Sequence, residues 1–222
     1  MRVLLVEDEP QLAFRLGKVL EAAGFVVDTA YDGEEGWFLG DTESYDAAVL
    51  DLGLPKLDGL SVLQRWRAAG RALPVLILTA RGRWSEKMSG FSAGADDYVT
   101  KPFEMEEVAW RLKALIRRAA GHAQPEILCG PLLLDTQSGR VAVDGVPVSL
   151  TAQEFRILSY LMHHMGQVIS RTELIDHVYD RNDERDSNVI DVLIGRIRKK
   201  LGAELIHTQR GQGWRVAPPD EA

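Results

Sequence analysis

The chain has 222 residues, 45% hydrophobic and 27% charged, the composition of a globular protein with one large domain or two ordinary ones. Its net charge of −7 argues by itself against a nucleic-acid binder, although 188–216 carry six basic residues against two acidic, a local +4. No apolar run is long enough to span a membrane, four apolar residues before Glu7 are too few for a signal peptide, and the single Cys129 excludes an internal disulfide and fits a reducing cytosol.

The first half alternates between two periodicities. Strand-like apolar runs fall at Val3–Val6, Val26–Thr29, Ala47–Leu52, Val75–Leu78 and Asp97–Val99. Helical patterns separate them at Pro10–Ala23, Gly33–Leu39, Leu60–Ala69, Trp84–Phe91 and Glu104–Arg118. Pro10 suits a helix start and Gly24 a helix stop. Five β-α units predict a parallel, doubly wound sheet of the flavodoxin-like order, with helices on both faces. The nearly continuous hydrophobicity of the strands agrees, because such a sheet is covered on both sides.

The stretch "AAGHAQPE", ending at Glu126, breaks this pattern with Gly121 and Pro125. As flexible coil, its eight residues span roughly 16 Å. The expected division is a first domain at 1–119, a linker at 120–126 and a second domain at 127–222. In the second domain, short antiparallel strands are expected at Leu132–Asp135, Val141–Asp144 and Val146–Leu150. Helices are expected at Ala152–His164, Arg171–Tyr179 and Asn188–Leu201, with Thr151 and Glu154 spaced as a capping box. "ELIHTQRGQGWRV" then reads as two strands around a glycine-containing turn, completing a small α+β domain.

The strand ends carry the chemistry. In "VLLVEDEP" a buried-type strand runs directly into Glu7, Asp8 and Glu9, and such charges repel unless something positive lies among them. Ligands of a doubly wound sheet bind beyond the C-terminal ends of its strands. The third strand brings Asp51 there, the fourth Thr79, and the fifth Lys101 in "VTKPF". Carboxylates are hard oxygen donors suited to Mg²⁺. With their repulsion removed, Asp51 can attack phosphorus and become an acyl phosphate, and Thr79 and Lys101 can hold the new oxygens.

These residues, in this order, make the chain resemble two-component response regulators of the OmpR/PhoB family, which join a receiver to a winged-helix DNA-binding domain. The likeness runs from "VLLVEDEP" to "RGQGWRV". It implies that Asp51 is the phosphoacceptor, that Glu7, Asp8, Asp51 and the carbonyl of Gly53 hold the metal, and that Thr79 and Lys101 bind phosphate. It also implies that Tyr98 is the aromatic that turns inward with Thr79 after phosphorylation. A sensor histidine kinase, promoter DNA and RNA polymerase are the implied partners, and the cytoplasm the implied location. Glu9 is expected in a salt bridge or a helix N-terminal contact rather than on the metal. An aspartate-nucleophile phosphatase would need a second acid two residues after the nucleophile; Gly53 stands there instead. A DNA-binding protein with a vestigial receiver is disfavoured because all five acceptor-site residues are in place.

In the family, activated receivers pair through the segment after the fourth strand, the fifth strand and the following helix. The matching charges are Lys87, Asp97, Glu107 and Arg111, with Lys87–Glu107 and Asp97–Arg111 as the expected cross-subunit pairs of a homodimer. Leu115 departs from relatives that place a charge at its position. Asp96 is expected to cap its local turn.

On a helical wheel of about 100° per residue from Asn188, Val189, Ile190, Leu193, Ile194, Ile197 and Leu201 share one core face. Asn188, Gly195 and Lys199 lie opposite, with Val192 beside them and Arg196 and Arg198 flanking. Such a face suits a major groove: Asn can read adenine, Arg guanine or phosphate, and Val a thymine methyl. "TQRGQGWRV" resembles the family's wing, which implies that Arg210 enters the minor groove. Trp214 replaces the usual tyrosine and is expected to pack at the wing base. The acidic loop 180–187 matches the one that touches the transcription machinery in relatives.

Overall fold

The computed structural model describes residues 1–80, 93–179, 189–202 and 204–218. The chain divides into two units, Met1–Ala119 and Ala120–Ala222.

The first unit holds β1 (Arg2–Val6), α1 (Pro10–Ala22), β2 (Val26–Ala30), α2 (Gly33–Thr42), β3 (Ala47–Asp51), α3 (Gly59–Ala68), β4 (Val75–Ala80), β5 (Asp97–Lys101) and α4 (Met105–Ala119). All sheet pairs are parallel, in the order β2-β1-β3-β4-β5, as expected. The helix expected at Trp84–Phe91 lies outside the described residues. The helices begin where local chemistry directs. Pro10 opens α1, and the side chains of Asp32 and Asp58 accept from the backbone N–H groups of Glu35 and Ser61 to cap α2 and α3.

Period-two alternation sends Leu4, Val6, Leu50 and Ile77 to the face covered by Trp66 of α3. Trp66 is wholly buried and donates its indole N–H to the Trp37 carbonyl at 3.1 Å. Its truncation to alanine is worth about 3–5 kcal/mol. Strand order reverses between β1 and β3, so their C-terminal ends flank the crevice where such sheets bind ligands. Gly59 allows the close return behind it: a Cβ there would lie 2.0 Å from the Asp51 carbonyl oxygen.

The second unit begins with an antiparallel sheet, β6 (Glu126–Cys129), β7 (Leu132–Asp135), β8 (Val141–Val143) and β9 (Val146–Pro147). Then come α5 (Ala152–His163), α6 (Arg171–Val178), α7 (Val189–Leu201) and a hairpin of β10 (Ile206–Gln209) and β11 (Gly213–Val216). Three helices and a terminal hairpin form a winged-helix domain. β6 is an addition to the expected strands; it starts at Glu126, the last residue read as linker, and buries Ile127 and Cys129 against the domain. β9 is shorter than expected and ends at Pro147, although the Val148 N–H still donates to the Val141 carbonyl at 2.9 Å.

The capping box forms as expected. Glu154 N–H donates to Thr151 Oγ1 at 3.3 Å, and Thr151 N–H to Glu154 Oε2 at 2.8 Å. Buried Glu154 is compensated by Lys200 of α7, whose ammonium lies 2.6 Å from Oε2. The bond ties the start of α5 to the end of α7. Among the described residues, no helix is long and apolar enough to cross a membrane.

Candidate phosphoacceptor site and nucleic-acid interface

Four strand ends converge. Glu7 follows β1, Asp51 ends β3, Thr79 is the next-to-last residue of β4, and Lys101 ends β5. Glu7 is 1% exposed and Asp51 7%. Two carboxylates so placed need a counter-charge, and Lys101 supplies it. Its ammonium lies 2.8 Å from Glu7 Oε2 and 2.8 Å from Asp51 Oδ2. Burial still raises the Glu7 pKa; Lys101 opposes this and the Asp51 charge adds to it. Burial also works against the Lys101 charge, but the two carboxylates together outweigh it and raise its pKa.

Asp8 is exposed, and one carboxylate oxygen each from Glu7, Asp8 and Asp51 fall within 4.8 Å of one another. Three hard donors at this spacing, one open to water, fit a small divalent cation. Gly53 lies alongside, its Cα so close that a Cβ would sit 3.8 Å from Asp51 Oδ2. Thr79 is buried with its hydroxyl 3.5 Å from the Ala80 carbonyl. Tyr98 is half-buried against the sheet core, and burial, aided by the Asp96 charge, pushes its phenol up to about 12. Glu9 occupies the N-cap position of α1, where its side chain makes no capping bond.

Of the charges expected in receiver pairing, Lys87 lies outside the described residues. The other three meet within one chain. Arg111 Nη1 is 3.0 Å from Asp97 Oδ2 and its Nη2 is 2.7 Å from Glu107 Oε1. Asp97 and Arg111, expected to pair between subunits, are thus already paired in the single chain. Leu115 is buried in the stripe that α4 lays on the sheet, so it does not belong to that surface. Asp96, expected to cap its local turn, instead reaches distant parts of the chain: it accepts the Val75 N–H at 2.8 Å and pairs with Arg67 at 3.2 Å.

In the second unit, α7 buries Ile190, Leu193, Ile194, Ile197 and Leu201. Val192, Gly195, Arg196 and Lys199 are exposed together on the other side. Val189, expected in the core, is only half-buried, and Asn188 lies outside the described residues, as does the acidic loop 180–187. Arg198 is drawn toward β10: its Nε donates to the Ile206 carbonyl at 2.8 Å and its Nη2 to Thr208 Oγ1 at 2.7 Å. It braces the helix against the wing. Gly195 has nothing within 4 Å of a Cβ built on it, so packing inside the chain gives no reason for glycine there.

Arg210 is exposed at the hairpin tip. Trp214 is buried at the wing base, where its backbone pairs with Ile169 in both directions at 2.8 and 3.0 Å. A Cβ on Gly213 would lie 1.9 Å from the Ile169 carbonyl oxygen, so glycine permits that junction. Sequence reasoning missed Arg171, which stacks 5.4 Å from the Trp214 ring centre and bonds Asp191 of α7 at 2.5 Å. The only signal was an isolated acid in the basic stretch.

Residues 3–113 match the family described as "Response regulator receiver domain", and residues 145–216 match "Transcriptional regulatory protein, C terminal". The chain is 47% identical over 218 residues to the two-component response regulator PhoP of Pseudomonas aeruginosa, covering 96% of this chain and 97% of that one. It is 43% identical over 218 residues to the transcriptional regulatory protein PhoP of Escherichia coli K12, covering 96% and 98%. Among solved structures, the receiver domain of the Francisella response regulator 1452 is similar, with 36% identity, 53% of this chain and 98% of that chain covered, and a TM-score of 0.51.

Proposed function

Since the chain belongs to the two-component response regulators of the OmpR/PhoB type, a PhoP-like transcription regulator with receiver and DNA-binding domains, we propose that Asp51 is its phosphoacceptor and that a sensor histidine kinase is its donor. The observation that carries this reading is the Lys101 ammonium shared between Asp51 and Glu7, 2.8 Å from each. An Asp51 oxygen attacks the phosphorus, a P–O bond forms, and the P–N bond to the kinase imidazole breaks. Lys101 then transfers its donation to the new phosphoryl oxygens, and the Thr79 hydroxyl donates to another. A divalent cation, Mg²⁺, held by Glu7, Asp8, Asp51 and the Gly53 carbonyl, would supply positive charge against the repelling oxyanions. The site acts as an acceptor rather than a turnover catalyst, because Gly53 leaves no general acid beside Asp51.

With Thr79 drawn to the phosphoryl group, Tyr98 follows it inward, and the surface of Lys87, Asp97, Glu107 and Arg111 pairs two receivers in a homodimer. Pairing raises the local concentration of the second winged-helix domain, so affinity for a direct-repeat promoter rises without a new base contact. Asn188, Val192, Gly195, Arg196 and Lys199 face the major groove and Arg210 the minor groove, with Arg198 holding helix to wing. The loop 180–187 contacts RNA polymerase, and the protein works in the cytoplasm.

The test is phosphorylation by acetyl phosphate with and without Mg²⁺, followed by DNA binding on a two-half-site fragment. One phosphoryl group, mapped to Asp51, dependent on the metal and accompanied by tighter binding, is the expected result. Stoichiometric phosphate on Asp51→Ala would overturn the assignment.

A further inference from the structure

Lys56 stands in the loop between β3 and α3 with φ at +64°, a left-handed conformation that residues other than glycine seldom adopt. Such a backbone persists where its surroundings hold it. The Lys56 ammonium lies 2.5 Å from Oδ2 of Asp32, in the turn between β2 and α2. Asp32 is doubly engaged: its Oδ1 accepts the Glu35 N–H at 2.9 Å to cap α2, while its Oδ2 takes the lysine. The bond to Lys56 is the chief reason that the Asp32 carboxyl stays below its usual pKa. The backbone joins the same two segments. The Gly33 N–H donates to the Pro55 carbonyl at 3.2 Å, and a Cβ on Gly33 would lie 1.7 Å from the Leu57 carbonyl oxygen. Residues 55–57 therefore rest against the turn at Asp32 and Gly33. Leu54 and Leu57 anchor the apolar side of the loop in the core around Trp66.

We propose that the Lys56–Asp32 pair is a latch that sets the affinity for the divalent cation, with Lys56 the positioning residue for the Gly53 carbonyl. The inference rests on the reading that Glu7, Asp8, Asp51 and that carbonyl hold Mg²⁺. Glu7 and Asp51 need no such support, because the sheet fixes them, one directly after β1 and the other at the end of β3. Gly53 belongs to the loop, and a backbone carbonyl goes where its loop goes. When a loop holds its metal-competent arrangement only part of the time, the apparent affinity falls by that fraction. The Lys56 side chain is 58% exposed, so the pair adds little to global stability and its effect is local. A simple charge effect has the opposite sign. A cation close to the carboxylates repels Mg²⁺, so removing Lys56 as a mere charge tightens metal binding, whereas removing it as a latch loosens binding.

The experiment is a Mg²⁺ titration of the full chain followed by the amide NMR signals of Glu7, Asp8, Asp51 and Gly53. Wild type, Lys56→Ala, Lys56→Gly and Lys56→Arg are compared, together with their rates of phosphorylation by acetyl phosphate over a range of Mg²⁺. Lys56→Ala and Lys56→Gly are expected to weaken Mg²⁺ binding about 2- to 5-fold. Lys56→Arg should bind the metal as wild type does, and the phosphorylation rate at saturating Mg²⁺ should be unchanged in all. Glycine adopts a positive φ freely, so a loss in Lys56→Ala alone would trace the effect to backbone conformation and overturn the ion-pair latch. Unchanged or tighter Mg²⁺ binding in both variants would also overturn it. So would a rate that stays low at saturating Mg²⁺, since Lys56 would then act on phosphoryl transfer itself. If wild type shows no Mg²⁺-dependent shifts at these residues, the metal site fails and the latch with it.

Discussion

The ammonium of Lys101 lies 2.8 Å from Oδ2 of Asp51. The same ammonium is 2.8 Å from Oε2 of Glu7, so one lysine at the end of β5 neutralises the ends of β1 and β3. The charge that would grip a phosphoryl group is therefore engaged before one arrives. On the proposed reading, phosphorylation would replace an ion pair already in place, and that exchange would couple Asp51 to β5, the strand that also carries Asp97 and Tyr98.

Removing that lysine should expose the repulsion it suppresses. Lys101→Met is expected to lower stability by about 1–3 kcal/mol at neutral pH, since one partner of a largely buried ion pair is lost. Mg²⁺ should then raise the melting temperature of the variant more than that of wild type, because the metal meets uncompensated carboxylates. Thermal unfolding with and without Mg²⁺ checks this. An equal metal-induced shift in both proteins would show that Lys101 is not the resting counter-charge.

A second prediction concerns pH. His163, buried in α5 with Nδ1 2.7 Å from the Ser159 carbonyl, has its pKa pushed down to about 4, chiefly by burial. The unfolded chain binds this proton near 6.5 and the folded chain does not, so stability falls as pH drops from 6.5 toward 4 and levels off below. Between pH 7 and pH 5 the group alone should cost about 2 kcal/mol. Urea unfolding at both pH values should show a smaller loss for His163→Gln than for wild type. Equal losses would remove His163 as the source.

The parallel sheet was legible because its strands are continuous apolar runs with Glu7, Asp51, Thr79 and Lys101 at their tips. β6 was not: four residues directly after Pro125 give too short an alternation to separate from a linker. The wheel of α7 placed Val192, Gly195, Arg196 and Lys199 correctly on the exposed side, since helical period fixes direction. It could not show that Arg198 bends toward Ile206 and Thr208, because a long side chain is claimed by whatever tertiary partner lies within reach. The same limit hid the bonds of Arg111 to its own chain. Charge type is written in the sequence, whereas the choice between an internal and an external partner depends on packing. Lys101 was expected to hold phosphate, and its resting role follows only from the burial of Glu7.

Gly195 separates protein stability from DNA binding. With open space around its Cβ position, Gly195→Ala should stabilise the helix by about 0.5–1 kcal/mol. The added methyl should nevertheless weaken operator binding, if the backbone comes close to the groove edge. Melting curves and fluorescence anisotropy on the same variant check both signs. Unchanged affinity would place this turn of α7 away from the DNA.

Two arginines should part company in salt. Arg210→Ala at the exposed wing tip is expected to leave stability unchanged and reduce the salt dependence of binding by about one counterion. Arg198→Ala should destabilise the domain by about 1–2 kcal/mol through its lost bonds to the Ile206 carbonyl and Thr208, with a smaller change in salt slope. Titrations over a range of salt concentrations, paired with urea unfolding, distinguish contact from brace. A full unit lost from the slope of Arg198→Ala would make it a phosphate ligand.

The Asp97–Arg111 pair allows a sharper test of receiver pairing because it already exists within the chain. Arg111→Glu should leave Asp51 phosphorylation near normal and remove the phosphate-dependent gain on a two-half-site operator, about tenfold or more for a reversed charge counted twice across a two-fold. Restoring the gain with Asp97→Arg in the same chain would not tell an internal pair from a cross-subunit pair, since both re-form. Mixing the two single variants does. In a mixed dimer, the glutamate introduced by Arg111→Glu in one copy faces the arginine introduced by Asp97→Arg in the other. The first copy's unaltered Asp97 faces the second copy's unaltered Arg111. Both cross-subunit pairs return, while neither chain can form its own. Phosphorylated mixtures are expected to regain part of the operator affinity that each variant lacks alone. If only the double variant regains it, the pair acts inside one chain to hold β5 against α4, and receiver association must draw its specificity from other residues of that face.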